Sequence, residues 1–351
     1  MKTITQLAAI PIPAEMVPFR DTAALEAHFK HCNGIALTGI GQSRAGQPLF
    51  GYTLGDGPHR VTITAGCHAD EPIGPMTAQA LPDLLAAHAP DLLESCHFRV
   101  IPQINPDGAD RNRTWFANPP DFERYLAHAV RELPGDDIEF GFADVPEARP
   151  ECRAALRFLW ADGPVAAHFS LHGMAWAEGA WFLINEAWAD RVGPLMDDLS
   201  ALCQAHGLPQ MEIDRKGEKG FRRLGKGISA TPTSTAMKAH FLALDDADMA
   251  ARFLPSSMEA AASAGGDPLC MVSELPLFLL DVPASLEDPV LYRFQKARDA
   301  ALATNSPEAI RDLAREYRLR PLPMAQQVAV QFAMIVLALR HRLAQPERPS
   351  R

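Results

Sequence analysis

Short apolar segments rich in β-branched residues alternate with longer segments of helical periodicity along this 351-residue chain. Such alternation is typical of an α/β fold whose central strands are parallel and buried on both faces. The clearest predicted strands are residues 61–66, 98–103, 165–171, 181–185 and 269–274. We therefore expect a three-layer α/β/α sandwich with a mixed, mostly parallel central sheet.

Helices are predicted where apolar residues recur every three or four positions. These segments are residues 73–88, 121–133, 152–160, 187–206 and 247–253, followed by a helical tail at 283–303, 307–317 and 324–343. Two long loops are expected between them, at 134–150 and 216–235. The second loop carries five positive charges, at Lys216, Lys219, Arg222, Arg223 and Lys226.

The overall charge and the cysteines restrict the class of protein. With 33 Lys and Arg against 43 Asp and Glu, the formal net charge is −10, which repels phosphate backbones and argues against a nucleic-acid partner. The six cysteines are far apart and form no C-x-x-C pair, so reduced thiols are expected. Residues 1–18 lack the apolar core of a signal peptide, and the late apolar run at 332–339 is too short to span a bilayer. A cytoplasmic protein without a membrane partner is expected.

Three predicted strands lead into side chains that can bind a metal or transfer a proton. His68 and Glu71 follow the strand at 61–66, His172 follows the strand at 165–171, and Glu274 ends the strand at 269–274. The carboxyl ends of the strands form the usual ligand crevice of an open α/β sheet. Two histidines and one glutamate leave a fourth coordination position open, which is typical of a catalytic zinc site.

Five segments in chain order resemble the zinc metallocarboxypeptidase family, the carboxypeptidase A-like peptidases. They are Ile40-Gly-Gln-Ser43 with Gly46-Gln-Pro-Leu49, Ala65 to Gly74, Asn105-Pro-Asp-Gly108 with Asn112-Arg113-Thr-Trp115, Ser170-Leu-His172-Gly173 and Val272-Ser-Glu274. The resemblance covers residues 40–279 and implies a carboxypeptidase-like fold. It divides the chain into a catalytic domain at 1–282 and a C-terminal helical extension at 283–351, packed on that domain and available for homo-oligomer contacts.

The resemblance also implies the roles of individual residues. One zinc ion per chain would be held by His68, Glu71 and His172, with Glu274 as the general base. Arg113 is assigned to the oxyanion, although the family's usual arginine position is occupied here by Phe116.

The family's Asn-Arg pair for a substrate carboxylate is where the sequence departs from the pattern. One register places Glu139 and Phe140 at these positions, which removes the guanidinium and predicts a substrate with a cationic or amidated group. A second register gives the role to Asn112 and Arg113, next to Arg111. The basic loop at 216–226 is a further candidate for gripping an acidic substrate, and residues 256–266 contain no tyrosine to assist the reaction.

The sequence therefore predicts a zinc-dependent hydrolase that acts on a peptide or peptide-like amide. An alternative is an N-acyl amino acid deacylase that resembles the succinylglutamate desuccinylase and aspartoacylase branch, because the same metal and base would serve it. A non-catalytic binding protein descended from a peptidase is a third reading, against which the retention of all three ligands and Glu274 argues.

Overall fold

The computed structural model describes residues 2–16, 18–31, 35–116, 120–133, 136 and 138–346. Within these residues a ten-stranded mixed sheet forms the centre of the protein. Its strands are β1 (Thr38–Gln42), β2 (Pro48–Leu54), β3 (His59–Ala65), β4 (Cys96–Ile101), β5 (Ala167–Ala177), β6 (Trp181–Ile184), β7 (Arg222–Gly225), β8 (Ile228–Ala230), β9 (Leu269–Leu279) and β10 (Arg320–Pro321).

The strands follow the order β1-β2-β4-β3-β5-β9-β6-β8-β7, and β10 pairs with β9. The four central strands β4, β3, β5 and β9 run parallel. Antiparallel pairs flank them on both sides, and β6 and β8 form a further parallel pair. The mixed α/β sheet expected from the sequence is therefore confirmed, with its parallel pairing concentrated where helical crossovers connect the strands.

Helices cover both faces of the sheet. They are α1 (Ile4–Ala8), α2 (Thr22–His31), α3 (Ile73–His88), α4 (Pro90–Ser95), α5 (Pro106–Asn112), α6 (Phe122–His128), α7 (Pro150–Trp160), α8 (Gly193–Ala205), α9 (Ser234–Leu242), α10 (Ala247–Arg252), α11 (Ser257–Ser263), α12 (Val290–Ala303), α13 (Pro307–Glu316) and α14 (Met324–Leu343). Helices α3, α8 and α14 pack together on one face, whereas α7 and α11 pack on the other. Alternate side chains of the central strands supply the two apolar clusters between these layers.

Two strands are longer than the sequence indicated. Gly173 and Pro276 are residues that often end a strand, yet β5 continues to Ala177 and β9 continues to Leu279. Pairing between the two strands extends across this stretch and keeps most of it buried. The expectation that His172 and Glu274 mark strand ends was therefore wrong: both lie within strands, directly opposite each other in the parallel ladder.

The segment predicted as a long basic loop is partly regular. It contains the β7–β8 hairpin, and helix α9 begins at its end. Three of its positive side chains are paired: Arg222 with Glu186, and Arg223 and Lys226 with Glu212. Three of the five positive charges of this segment are therefore paired with acidic side chains of the protein itself. The other predicted loop includes residues outside those described, among them Asp137.

The C-terminal residues contribute to the core. Most of α14 is buried, and it packs against α3, α8, β5 and β9. Strand β10 extends the sheet beside β9. The domain boundary at residue 282 and homo-oligomer contacts through the tail both stay predictions.

The five described cysteines, Cys67, Cys96, Cys152, Cys203 and Cys270, are buried. Cys32 lies outside the described residues. None of the described helices combines the length and the apolarity needed to cross a bilayer.

Candidate metal centre and cavity

Two glycines shape the segment between β3 and the first turn of α3. Gly66 has a φ of +76°, and a Cβ at this position would lie 2.1 Å from Gln103 Oε1, so the turn that leads to His68 requires glycine. In the first turn of α3, a Cβ on Gly74 would lie 2.0 Å from the Leu171 carbonyl oxygen. The absence of a Cβ on Gly74 lets the start of α3 approach the strand that carries His172.

The three side chains expected to bind metal meet at this point. His68 Nδ1 lies 2.8 Å from Glu71 Oε1. His172 Nδ1 lies 3.0 Å from Glu71 Oε2 and 3.1 Å from His68 Nδ1. The same two ring nitrogens and one carboxylate thus face a common centre.

The donor set fits a divalent cation. All the donor atoms of His68, Glu71 and His172 lie within 4.8 Å of one another. Two imidazole Nδ1 atoms in contact can satisfy each other only if one carries a proton, whereas a cation accepts both lone pairs. Two imidazoles and one carboxylate form the donor set of a catalytic zinc site with a fourth position open.

A second group that could bind a metal shares His172 with the first. It consists of Cys67, Glu139 and His172. Cys67 is only 1% exposed, and burial raises the pKa of its thiol, which disfavours the thiolate that a metal needs. In contrast, Glu71 of the first group lines an accessible cavity. The first group is therefore the better candidate for a site that must admit substrate.

Two side chains contact Nε2 of His172, the ring nitrogen that faces away from Glu71. Its Nε2 lies 2.8 Å from Ser170 Oγ and 2.8 Å from Glu139 Oε2. Partners on the outer ring nitrogen orient an imidazole so that its other nitrogen faces the metal. Glu139 is absent from the lining of the cavity that contains Glu274, so the expected contact of Glu139 with substrate is not supported there and stays a prediction.

Helix α14 supports the same strand through its backbone. The buried Gln331 side chain donates to the His172 carbonyl oxygen at 2.8 Å and to Ser273 Oγ at 2.9 Å. Thr77 of α3 donates to Gln331 Oε1. A residue from the C-terminal helix therefore ties β5 to β9 beside the candidate site.

The charges of the cluster shift the pKa values of its members in opposite directions. Burial alone would raise the pKa of Glu71, but His68 and Arg131 outweigh it and hold the pKa well below its usual range. Burial would lower the pKa of His172, but Glu139 and the hydrogen bonds around the ring raise it well above its usual value. Metal binding at His172 therefore competes with a proton and strengthens as pH rises.

The pairing of β9 with β5 and β6 places Glu274 beside the cluster of His68, Glu71 and His172. It is opposite His172 on β5 and opposite Trp181 on β6. Together with Glu71 it lines a cavity of about 570 Å³. Burial, followed by the charge of Glu71, raises the pKa of Glu274 well above its ordinary value. Its carboxylate makes no hydrogen bond to any other described residue, so it is available to groups that enter the cavity.

Arg131 is the cation that the sequence did not identify. Its Nη1 lies 2.8 Å from Glu71 Oε1 and 3.1 Å from Asp70 Oδ1, and the Tyr125 hydroxyl donates to Asp70 Oδ2 at 2.6 Å. The side chain lines the cavity and remains 45% exposed. The sequence predicted a helix through residue 133, but α6 ends at His128, and an extended segment directs Arg131 to the site. The one local signal was the acid at Asp70, between the two predicted ligands.

The two arginines proposed from the sequence lie elsewhere. Arg113 is exposed and pairs with Asp110 and with Asp21, the latter at 3.5 Å. Arg111 pairs with Glu132. Neither arginine lines the cavity, because they lie at the end of α5, where Arg113 meets partly exposed acids and Arg111 meets the largely buried Glu132. This placement does not support the expected oxyanion role of Arg113 or the substrate role of Arg111, and both stay predictions.

Asn112 is a buried structural residue. Its Nδ2 donates to the carbonyl oxygens of Gly108 and Val130, at 2.9 and 2.8 Å. Its Oδ1 accepts from the Trp115 indole and from the Val130 backbone N–H. These four bonds occupy the whole amide, so they do not support the expected contact of Asn112 with substrate, which stays a prediction.

His168 lies on the same strand as His172 but serves packing. It is fully buried, its Nδ1 lies 3.0 Å from Thr62 Oγ1, and its ring packs against Trp160. Burial lowers the pKa of His168 to about 3. The residue is therefore neutral in the folded protein at any ordinary pH.

This buried histidine should make the protein sensitive to acid. An unfolded histidine binds a proton below a pKa of about 6.5 whereas the folded one does not, so its contribution to stability is complete above that pH and is lost as pH falls toward 3. Between pH 7 and pH 5 we expect it to account for a loss of about 2 kcal/mol in unfolding free energy. Denaturant unfolding of metal-free protein at both pH values should show a smaller loss for His168→Gln, and an unaltered loss for the exposed control His59→Gln. Equal losses in wild type and His168→Gln would contradict the assignment.

Comparison with known proteins identifies the segment that carries the cluster. Residues 24–175 match the family model described as zinc carboxypeptidase. The matched segment contains His68, Glu71 and His172, while Glu274 lies beyond it. A search of curated protein sequences found no match.

Solved structures extend the likeness of fold over most of the chain. A candidate metallopeptidase from Shewanella denitrificans OS217 is 14% identical with a TM-score of 0.53, covering 92% of this chain and 90% of that one. A metallo-carboxypeptidase from Burkholderia cenocepacia is 15% identical with a TM-score of 0.51, covering 94% and 69%. A candidate metallopeptidase from Shewanella amazonensis SB2B is 15% identical with a TM-score of 0.50, covering 90% of each chain. At these identities the likeness shows the fold alone, and the expected carboxypeptidase-like sandwich is confirmed.

Proposed function

We propose that the protein is a zinc-dependent hydrolase that cleaves a peptide or peptide-like amide bond. The observation that carries the proposal is the meeting of His68, Glu71 and His172 beside Glu274, whose carboxylate hydrogen-bonds to no other residue that the structure describes. The match of residues 24–175 to the zinc carboxypeptidase family model supports the hydrolase class and the choice of zinc.

His68 Nδ1, Glu71 and His172 Nδ1 would hold one zinc ion. When bound, zinc acts as a Lewis acid that polarises a carbonyl and lowers the pKa of a water molecule. Ser170 and Glu139 keep the outer nitrogen of His172 engaged, so that its Nδ1 stays directed toward Glu71. The protein thereby fixes the donor atoms before substrate arrives.

Glu274 is assigned as the general base. A carboxylate in this place can take a proton from the attacking water and return it to the departing amine. Burial raises the pKa of Glu274, which makes the carboxylate a stronger base than an exposed glutamate. Its position opposite His172 in the sheet keeps the base next to the proposed ligands.

Arg131 is assigned to the negative charge that develops on the substrate carbonyl oxygen. Its guanidinium lines the same cavity as Glu274 and lies against Glu71. Asp70 also binds this guanidinium and is itself held by Tyr125, so the cation is oriented before the reaction begins. Arg131 would take the role that the family resemblance assigned to Arg113.

An N-acyl amino acid deacylase is the second candidate. It would use the same metal ligands and the same base, so those residues do not separate the two activities. The observation that favours it is a pair of further arginines, Arg215 and Arg298, in the cavity wall, because an N-acyl amino acid substrate carries a free carboxylate.

The experiment that tests the proposal combines metal analysis with a substrate panel. We expect about one zinc per chain and hydrolysis that a chelator abolishes and added zinc restores. The panel contains peptides with free and amidated carboxyl ends together with N-acyl amino acids, and the class that is cleaved separates the two candidates. Hydrolysis that survives complete removal of metal would contradict the proposal, as would zinc-loaded protein that cleaves no compound of the panel.

A further inference from the structure

We infer that Gln331, on the C-terminal helix α14, is a positioning residue for the candidate metal centre. This inference rests on the proposed function, which it deepens by naming a residue that acts on the proposed ligands through their backbone. Gln331 is fully buried, and every other residue between Val328 and Leu339 is apolar. A buried amide in such surroundings is unfavourable unless its polar atoms find partners, so the partners of Gln331 define what it does.

The partners of the Gln331 amide belong to three different elements. Its nitrogen donates to the His172 carbonyl oxygen of β5 at 2.8 Å and to Ser273 Oγ of β9 at 2.9 Å. Its oxygen accepts from the Thr77 hydroxyl of α3. Since a carbonyl oxygen can only accept, the amide nitrogen must face β5, and the orientation of the amide is fixed. One buried side chain therefore joins α14 to α3, β5 and β9.

Each of these three elements carries or adjoins a residue of the proposed site. His172 is itself a proposed ligand, and Ser273 directly precedes Glu274 on β9. Thr77 lies in α3, the helix that begins just after Glu71. A shift of one element against the others would change the distances among the two ligands and the base. Gln331 opposes such a shift because its three bonds require all three elements in one arrangement.

The backbone at His172 lies where β5 loses one of its two neighbouring strands. Within the described strands, the pairing of β3 with β5 ends with Ala65 opposite Leu171, one residue before His172. The pairing with β9 continues on the other side. Gln331 thus supplies a donor to the backbone of β5 at the residue where support from β3 has ended.

A second buried amide on α14 provides a comparison. Gln327 is also fully buried and lies four residues before Gln331. Its side chain donates to the Leu322 carbonyl oxygen at 2.9 Å and contacts Met324 Sδ at 3.9 Å. Both of these partners lie at the start of α14 or just before it. Gln327 therefore secures the start of its own helix, and Gln327→Met is a matched control for Gln331→Met.

The test compares Gln331→Met with Gln327→Met, since methionine keeps the length of the side chain but removes the amide. We would measure zinc affinity by competition with a coloured chelator, denaturant unfolding of the metal-free protein, and the visible spectrum of protein loaded with Co²⁺. The bands of that spectrum depend on the arrangement of the ligands. Both variants should lose stability, because each leaves buried polar groups without partners.

Only Gln331→Met should change the metal centre. We expect its zinc affinity to fall about 10-fold and its Co²⁺ spectrum to shift, because groups that hold metal ligands from outside commonly contribute this much. Gln327→Met should keep the wild-type spectrum and an affinity within about twofold of wild type. Wild-type affinity and spectrum in Gln331→Met would overturn the inference. So would an equal loss of affinity in both variants, because that loss would follow from stability alone.

A pair of substitutions at Thr77 decides the question if Gln331→Met does not fold. Thr77→Val removes the hydroxyl that fixes the amide, whereas Thr77→Ser keeps it. We expect Thr77→Val to lower zinc affinity about threefold, as the loss of one neutral hydrogen bond implies, and Thr77→Ser to match wild type. Equal affinities in both variants, whether unchanged or lowered, would overturn the inference.

These measurements need no turnover, which separates the inference from the proposed reaction. If wild type binds zinc but cleaves no compound of the panel, and Gln331→Met binds zinc more weakly than Gln327→Met, the positioning role stands and the reaction fails. If wild type cleaves the panel and all variants bind zinc equally, the reaction stands and the positioning role fails. Wild-type protein that binds no zinc would overturn both.

Discussion

Replacement of Glu274 by glutamine is expected to lower kcat about 10²- to 10⁴-fold while leaving zinc bound at one ion per chain. Glutamine has nearly the same shape but cannot accept the proton from water. The Glu274 carboxylate hydrogen-bonds to no other described residue, so its replacement breaks no network. Because burial already disfavours the charged form of Glu274, the neutral amide should not reduce the thermal stability of the protein.

The measurement for Glu274 is steady-state hydrolysis of the best compound from the panel, combined with metal analysis and thermal unfolding. Glu316→Gln provides a matched control, because this glutamate is exposed at the end of α13. If Glu274→Gln retained full activity, the general base would have to be another residue. If it lost zinc together with activity, Glu274 would be a ligand instead.

Replacement of His68 by alanine is expected to weaken zinc binding about a thousandfold. A zinc-binding free energy of about 12 kcal/mol shared among three protein ligands assigns roughly 4 kcal/mol to each. His68 follows β3 in a turn and is not part of a strand, so its removal leaves the pairing of the central strands unchanged. Activity at low zinc should disappear, and the fold should remain.

Zinc affinity is measured by competition with a coloured chelator at pH 7. His59→Ala serves as the control, because His59 is an exposed histidine at the start of β3, the strand that precedes His68. Wild-type affinity in His68→Ala would remove this residue from the ligand set and would direct attention to the group formed by Cys67, Glu139 and His172. Excess zinc that restores binding without activity would show that His68 also orients the ion.

The spacing of apolar residues in the sequence predicted the helices and strands whose buried side chains recur at regular intervals. The helices at residues 73–88 and 324–343 have the predicted bounds, because apolar side chains line them from end to end. The five predicted strands are present, but Gly173 and Pro276 suggested ends that the β5–β9 pairing does not have. Long-range hydrogen bonds between strands outweigh the local preference of such residues.

The sequence predicted the three side chains of the metal cluster because each follows a strand that could be recognised from its own composition. It did not identify Arg131, since a helical pattern extended beyond the true end of α6 at His128. It also assigned Arg113 and Glu139 to the substrate. The structure instead places Arg113 against surface acids and Glu139 behind His172.

By itself, then, the sequence determined the α/β class of the fold and the set of side chains able to bind a divalent ion. Only the tertiary structure decided which cation lies beside Glu71, which carboxylate supports His172 and which arginines line the cavity wall. The physical reason is that the pattern of apolar residues along a short segment predicts which of its side chains are buried. The partner of a charged side chain, in contrast, depends on strand register and helix packing between segments that are distant in sequence.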